Sequence, residues 1–187
     1  MNVYDFDNTI FEGDSTARFF MFSLKRHPKI FGKAPSIIKA YTRFYLLKKG
    51  TKTECKQTMY RFLTCIEDID AELRAFWAVN EERVKPFYLR QQRSDDVIIS
   101  ASPFFLLFPI CKKLGIKNLI ASEVDPHTGV YTGENCHGKE KVRRFRECFK
   151  NAEIESFYSD SYSDSPMAEI ADKAFMVKKD RVTPWIK

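Results

Sequence analysis

Apolar residues occur in short runs near the start of the chain and again from residue 97 onward, and they recur at helical spacing between these runs. The run over residues 2–6 predicts a buried strand, because a short apolar run bounded by polar residues suits a strand covered on both faces. Similar runs predict strands at 97–99, 118–121, 155–159 and 174–177, and helical spacing predicts helices at 104–114, 139–150 and 165–173. Strands that alternate with helices indicate an α/β fold, with a parallel sheet covered by helices on both faces.

The middle of the chain contains no convincing strand. Apolar residues at helical spacing predict helices over 35–49, 53–66 and 69–92, after a helix that begins near Ala17 and is capped by Asp14 or Ser15. We therefore expect a core domain formed by residues 1–14 and 94–187. Residues 15–93 are expected to form a helical cap inserted after the first strand.

Two turns can be placed from their residue types. Ser102 followed by Pro103 is typical of a helix start, so Ser102 is predicted to be the N-cap of the helix that ends at Gly115. The stretch 125–129, which contains Pro126 and Gly129, predicts a hairpin turn between two short extended pieces at 122–124 and 130–132.

Composition indicates one globular domain with an insertion. The chain has 187 residues, is 44% hydrophobic and contains 17 Phe. Disordered segments are poor in aromatic residues, so this content indicates a folded chain. Its net charge of +6 favours anionic ligands. Five scattered Cys without a Cys-x-x-Cys pair, together with no recognisable export signal, predict a reduced, cytoplasmic protein. The longest apolar run, 104–110, is too short to span a bilayer.

Two acidic residues lie at the end of the first predicted strand. Alternation along an extended chain places Asp5 and Asp7 on the same face, at the end of that strand. Burying two carboxylates together is costly, because each negative charge raises the pKa of the other. A divalent cation such as Mg²⁺, which prefers oxygen ligands, would offset this cost. Taken alone, Asp-x-Asp is also typical of a solvated turn.

Polar residues lie at the ends of two later predicted strands. Ser100 precedes a helix, so its hydroxyl and the nearby backbone N–H groups could bind phosphate, although the same residues also suit an ordinary strand-to-helix turn. Asp160 follows the strand at 155–159, and Asp164 precedes a helix, where it could instead be an N-cap. In a parallel sheet these strand ends meet at one edge. Lys141, or failing that Lys139, opens a basic helix and could supply positive charge.

These segments resemble the four motifs of the haloacid dehalogenase-like hydrolases, subfamily IB. The matching residues are Asp5-x-Asp7-x-Thr9, Ser100-Ala101-Ser102, Lys141 and Asp160-x-x-x-Asp164. The resemblance implies a three-layer Rossmann-like fold and a phosphatase in which Asp5 forms an aspartyl-phosphate and Asp7 is the general acid and base. It also implies phosphate binding by Asn8, Thr9, Ser100, Ala101 and Lys141, and Mg²⁺ binding by Asp5, Asp7, Asp160 and Asp164.

The substrate is not fixed by this resemblance. Phosphoserine is disfavoured, because Asp14 stands where phosphoserine phosphatases have a glutamate and Ser100-Ala101-Ser102 replaces their Ser-Gly-Gly. The stretch from Tyr158 to Ser161 is similar to the C-type phosphatidylglycerophosphate phosphatases. The candidate substrates are therefore a lipid phosphate and a small phosphorylated metabolite. The basic, aromatic-rich residues 17–49 are typical of a solvated helix face or of contact with an anionic membrane, whereas nucleic acid is disfavoured.

Two other functions remain open. One is a non-catalytic module that binds lipid or nucleic acid on the same scaffold, although the presence of both Asp5 and Asp7 argues against it. The other is a phosphotransferase or mutase, which would pass the same intermediate to an alcohol instead of water. The sequence does not indicate an oligomeric state.

Overall fold

The strands of the computed structural model, which describes residues 1–186 apart from the side chains of Tyr45 and Lys52, form a single six-stranded sheet. They are β1 (Asn2–Tyr4), β2 (Val97–Pro103), β3 (Asn118–Ser122), β4 (Ile154–Ser159), β5 (Ala171–Lys178) and β6 (Arg181–Pro184). The order across the sheet is β3-β2-β1-β4-β5-β6, with the first five strands parallel and β6 antiparallel to β5. The predicted α/β fold is confirmed. The antiparallel edge strand was missed, because all four of its residues are exposed and form no apolar run.

Helices cover both faces of the sheet and fill the insertion between β1 and β2. They are α1 (Ser15–Arg26), α2 (Ala34–Tyr41), α3 (Lys52–Tyr60), α4 (Ile69–Ala78), α5 (Pro86–Gln91), α6 (Phe104–Lys113), α7 (Lys139–Cys148) and α8 (Ser165–Ala168). A π-helical stretch, Thr42–Leu46, continues α2. Within the described range, no helix combines the length and the apolar character needed to cross a bilayer.

Several helix ends differ from the sequence predictions. The helix predicted at 165–173 stops at Ala168, because β5 already begins at Ala171. Pro103, not Ser102, occupies the N-cap position of α6, and β2 continues through Ser102. The Ser102 hydroxyl instead donates a hydrogen bond to Asp7, and no described side chain caps α6. The predicted cap of α1 is present, since the Asp14 side chain accepts a hydrogen bond from the backbone N–H of Ala17 at 2.8 Å.

The hydrophobic core is continuous from the sheet into the insertion. Phe6 and Phe11, which follow β1, pack against Trp77 of α4, and all three side chains are buried. The Trp77 indole N–H donates to the backbone carbonyl of Leu106 at 2.7 Å, which joins α4 to α6. A second cluster, which includes Phe145 and Phe157, fills the other face of the sheet. The loops after β1, β2 and β4 are thereby fixed side by side. The division of the chain into a core domain of residues 1–14 and 94–187 and a cap of residues 15–93 stays a prediction.

Candidate active site

A cavity of about 430 Å³ opens at the carboxyl ends of β1, β2 and β4. It is lined on the core side by most of the predicted site residues: Asp5, Asp7, Asn8, Ser100, Ala101, Lys141, Asp160 and Asp164. Parallel strands bring these residues to one edge of the sheet although they are far apart in sequence. Thr9 is the exception among the predicted site residues, because it is fully buried beneath the cavity.

Asp5 and Lys141 form the centre of the site. The Lys141 ammonium donates to Asp5 Oδ1 and to Asp164 Oδ2, at 2.7 Å each, and all three side chains are almost completely buried. Burial raises the pKa of the Asp5 carboxyl and the Asp164 charge raises it further, while Lys141 opposes this rise. The two carboxylates in turn raise the pKa of Lys141 despite its burial, so the lysine stays charged. Lys139, the alternative lysine, is exposed.

Asp7 is held by the start of α1 and by Ser102. Its Oδ1 accepts a hydrogen bond from the backbone N–H of Ser15 at 2.6 Å, and its Oδ2 accepts one from the Ser102 hydroxyl. Burial raises the pKa of Asp7, and the nearby Asp14 charge adds to the rise. Ser102 also lies 3.1 Å from the Thr16 hydroxyl. The sequence analysis missed this role of Ser102, although its position two residues after Ser100 on a strand places both side chains on one face.

The loop after Asp7 is fixed by two buried groups. The Thr9 hydroxyl donates to Asp5 Oδ2 at 3.4 Å, so Thr9 contacts the carboxylate and not the open cavity. Asn8 adopts a left-handed conformation with φ of 57°. Its carbonyl accepts a hydrogen bond from the buried Lys85 ammonium at 2.5 Å, and that ammonium also bonds the Lys179 carbonyl at 2.6 Å. Lys85 was not predicted, because its contact with Asn8 spans 77 positions of sequence.

Ser100 and Ala101 form the part of the cavity contributed by β2. The Ser100 hydroxyl accepts a hydrogen bond from the backbone N–H of Ser102 at 3.1 Å, which tightens the end of the strand. The Ala101 carbonyl accepts hydrogen bonds from the Ser122 hydroxyl at 3.1 Å and from the Lys56 ammonium at 3.4 Å. Lys56 belongs to α3, so a cation from the insertion reaches the core side of the cavity.

The acidic residues fit a magnesium ion by their donor chemistry. Asp5, Asp7, Asp160 and Asp164 line one cavity and offer only oxygen atoms, which Mg²⁺ prefers. Burial raises the pKa of Asp160 as it does for Asp5 and Asp7, because desolvation disfavours each ionised carboxylate. A divalent cation bound by these carboxylates would offset that cost. Among residues 1–186, however, no three acidic, His or Cys side chains are already gathered around a single point.

The insertion supplies the opposite side of the cavity. The lining there consists of Asp14, which is the N-cap of α1, and of Thr16, Ala17, Tyr41, Cys55, Lys56 and Met59. Asp14 is the residue that stands where phosphoserine phosphatases have a glutamate. His137 also lines the cavity, from the loop before α7. A phosphate bound at Asp5 would therefore have its organic part against side chains that include apolar Met59, basic Lys56 and acidic Asp14.

Comparisons with known proteins agree with the motifs. Residues 3–169 match the model of the haloacid dehalogenase-like hydrolase family, so the chain belongs to that family, as predicted. A probable phosphatase of Mycobacterium tuberculosis is 35% identical over 97 residues, which cover 46% of this chain and 33% of that protein. Phosphoserine phosphatase SerB1 of the same organism is 25% identical over 200 residues, which cover 95% of this chain and 64% of SerB1.

The fold also occurs in a solved structure. A protein of unknown function from Bordetella pertussis Tohama I superposes with a TM-score of 0.73 at 20% identity, over 93% of this chain and 87% of that one. At that identity the likeness concerns the fold alone. The chain spans 33% and 64% of the length of the two mycobacterial relatives.

Proposed function

We propose that this protein is a Mg²⁺-dependent phosphatase that hydrolyses a phosphate monoester through an aspartyl-phosphate on Asp5. The observation that carries the proposal is the Asp5 carboxylate, which is buried at the floor of an open cavity and bonded to the Lys141 ammonium. A carboxylate held in this way can act as a nucleophile. The phosphatase names of two relatives support the same reaction class.

In the first step, a carboxylate oxygen of Asp5 attacks phosphorus and the bond from phosphorus to the leaving oxygen breaks. Asp7 gives its proton to that oxygen, which leaves as an alcohol. The raised pKa of Asp7, caused by burial and by Asp14, suits a group that carries a proton near neutral pH. Lys141 and the backbone N–H groups that follow Asp5 and Ser100 stabilise the negative phosphoryl oxygens.

In the second step, water attacks the phosphorus of the aspartyl-phosphate. Asp7, now a carboxylate, takes a proton from that water, and the bond from phosphorus to Asp5 breaks. Inorganic phosphate forms, and both carboxyl groups return to their starting states. A magnesium ion held by Asp5, Asp160, the Asp7 carbonyl and Asp164 would neutralise charge on the phosphoryl oxygens.

Aryl phosphate hydrolysis tests this proposal. Wild type and Asp5→Asn are compared with p-nitrophenyl phosphate, in Mg²⁺ and in EDTA, beside the exposed control Asp172→Asn. We expect kcat/KM of Asp5→Asn to fall by roughly 10³-fold or more, with Asp172→Asn unchanged and EDTA abolishing turnover. Full activity in Asp5→Asn would refute the proposal. Transfer of phosphate to an added alcohol, with no free phosphate, would indicate a phosphotransferase instead.

A further inference from the structure

The charge of the chain is concentrated in one segment of the insertion. Residues 15–53 contain ten Lys or Arg and no Asp or Glu, whereas the rest of the chain contains 21 basic and 25 acidic residues. The net positive charge of the protein therefore comes entirely from this stretch, which we call the basic segment. Lys25, Lys39 and Lys49 are exposed members of it.

The same segment exposes large apolar side chains. Of the thirteen exposed large apolar side chains in the described range, six lie in the basic segment: Met21, Phe31, Ile38, Tyr41, Leu46 and Leu47. The exposed fraction is 76% for Leu46, 64% for Ile38 and 60% for Leu47. None of the eight residues of α2, all of them described, is buried. α2 is thus rich in apolar residues, yet it buries none of them completely.

Apolar and cationic side chains in one surface segment match the chemistry of an anionic bilayer. Aliphatic and aromatic side chains enter the boundary between headgroups and acyl chains, while Lys and Arg contact the anionic headgroups. A nucleic acid would pair with the cations, but its phosphates and sugars offer nothing to exposed Leu46, Leu47 and Ile38. Six exposed large apolar side chains in one segment favour an interaction surface over a purely solvated face.

We propose that the basic segment docks the protein on the surface of an anionic lipid bilayer. Tyr41 links this surface to the candidate active site, because it is exposed and also lines the cavity together with Cys55, Lys56 and Met59. Docking through α2 and the residues after it would hold the cavity beside the lipid headgroups. The proposal concerns binding and does not require the proposed phosphatase reaction.

Vesicle sedimentation tests the docking surface. The full chain is mixed with vesicles of phosphatidylcholine alone, or of phosphatidylcholine and phosphatidylglycerol in a two-to-one ratio, at low and at physiological salt. We expect binding to the anionic vesicles only, weakened by salt. The triple variant Lys25→Gln, Lys39→Gln, Lys49→Gln should bind roughly 100-fold more weakly, because each surface cation contributes about fivefold.

Two control variants separate this surface from general charge and general hydrophobicity. Lys112→Gln, Lys117→Gln, Lys173→Gln removes three exposed lysines elsewhere and should change binding by less than about threefold. Leu46→Ser, Leu47→Ser should weaken binding by roughly tenfold or more, whereas Val79→Ser, Leu89→Ser should not.

Three outcomes would overturn the proposal. One is no binding to anionic vesicles by the wild type. Another is equal weakening by the two lysine triples, which would show attraction to total charge only. The last is an unchanged Leu46→Ser, Leu47→Ser variant whose binding is displaced by duplex DNA, which would identify a nucleic-acid surface instead. Circular dichroism and thermal melting check that every variant is folded.

Discussion

At the scale of single residues, Lys141 is the side chain on which the buried charge of the site depends. Its ammonium pairs with both Asp5 and Asp164, and all three side chains are almost completely buried. Lys141→Met leaves both carboxylates without a counter-charge, so the free energy of unfolding should fall by about 3–5 kcal/mol. Urea denaturation measures this fall. The matched control is Lys139→Met, an exposed lysine two positions away, where a change below about 0.5 kcal/mol is expected.

The role of Asp7 can be separated from that of Asp5 by the choice of leaving group. Asp7→Asn can still accept the Ser15 N–H bond, so the fold should be kept, but it cannot give a proton to a leaving oxygen. We expect kcat to fall by roughly 10²–10⁴-fold for an alkyl phosphate. The fall should be much smaller for p-nitrophenyl phosphate, whose leaving group needs little protonation. Equal losses for both substrates would argue against an acid role.

Asp96 makes the stability of the protein depend on pH. It is buried at the start of β2, and burial raises its pKa from its ordinary 3.8 to about 6. The folded state thus holds this proton more tightly than the unfolded state, so the free energy of unfolding falls as pH rises from about 4 to about 6.

The Asp96→Asn variant tests this pH dependence. The variant should lose the part of the pH-dependent fall in the free energy of unfolding that Asp96 causes. Its free energy of unfolding at neutral pH should be higher by about 1–2 kcal/mol. Denaturation of both proteins across that pH range measures it, with the exposed Asp172→Asn as control. A slope unchanged by Asp96→Asn would show that other groups cause it.

At the scale of elements, the turn at 125–129 packs against the insertion. Gly129 has φ of 74°, and a Cβ there would lie 2.4 Å from the Tyr60 carbonyl oxygen. Nearby, the backbone N–H of Tyr131 donates a hydrogen bond to the Gln57 side chain of α3 at 3.3 Å. The turn therefore packs directly against the end of α3, whose residues Lys56 and Met59 line the cavity.

The Gly129→Ala variant tests this contact. It should lower the free energy of unfolding by about 2 kcal/mol or more, from left-handed strain and from the clash with Tyr60. KM should also rise, because the end of α3 must shift away from the cavity. Gly32→Ala, which has no neighbour within 4 Å and an ordinary φ, is the control for thermal and urea denaturation. Equal stability of the two variants would contradict the proposed packing of this turn against α3.

Strands and helices that are marked by a local pattern of apolar residues could be predicted from the sequence. Contacts between residues far apart in the sequence could not. Runs such as 97–99 and 155–159 placed the central strands, and the parallel topology then placed Asp5, Ser100 and Asp160 together. The bond from Ser102 to Asp7 spans 95 positions, so the strand pattern could place Ser102 beside Ser100 but could not indicate Asp7 as its partner. The edge strand β6 has no apolar run, and the helix after Asp164 was cut short by pairing of β5 with β4.

At the scale of the whole molecule, the fold separates two kinds of charge. Acidic residues converge at the carboxyl ends of the parallel strands, where burial raises the pKa of Asp5, Asp7 and Asp160. Basic residues accumulate in the insertion, and one of them, Lys56, lines the cavity opposite the buried carboxylates. Its positive charge favours the entry of an anionic substrate.

The central claim is that Asp5 becomes phosphorylated during turnover, and acid quenching followed by mass spectrometry of the digested protein tests it most directly. With Mg²⁺ and excess aryl phosphate, the account predicts one phosphoryl group on the peptide that contains Asp5, lost after the substrate is consumed and never seen in Asp5→Asn. Steady turnover with no modified Asp5 peptide, or with the phosphoryl group on another residue, would contradict it.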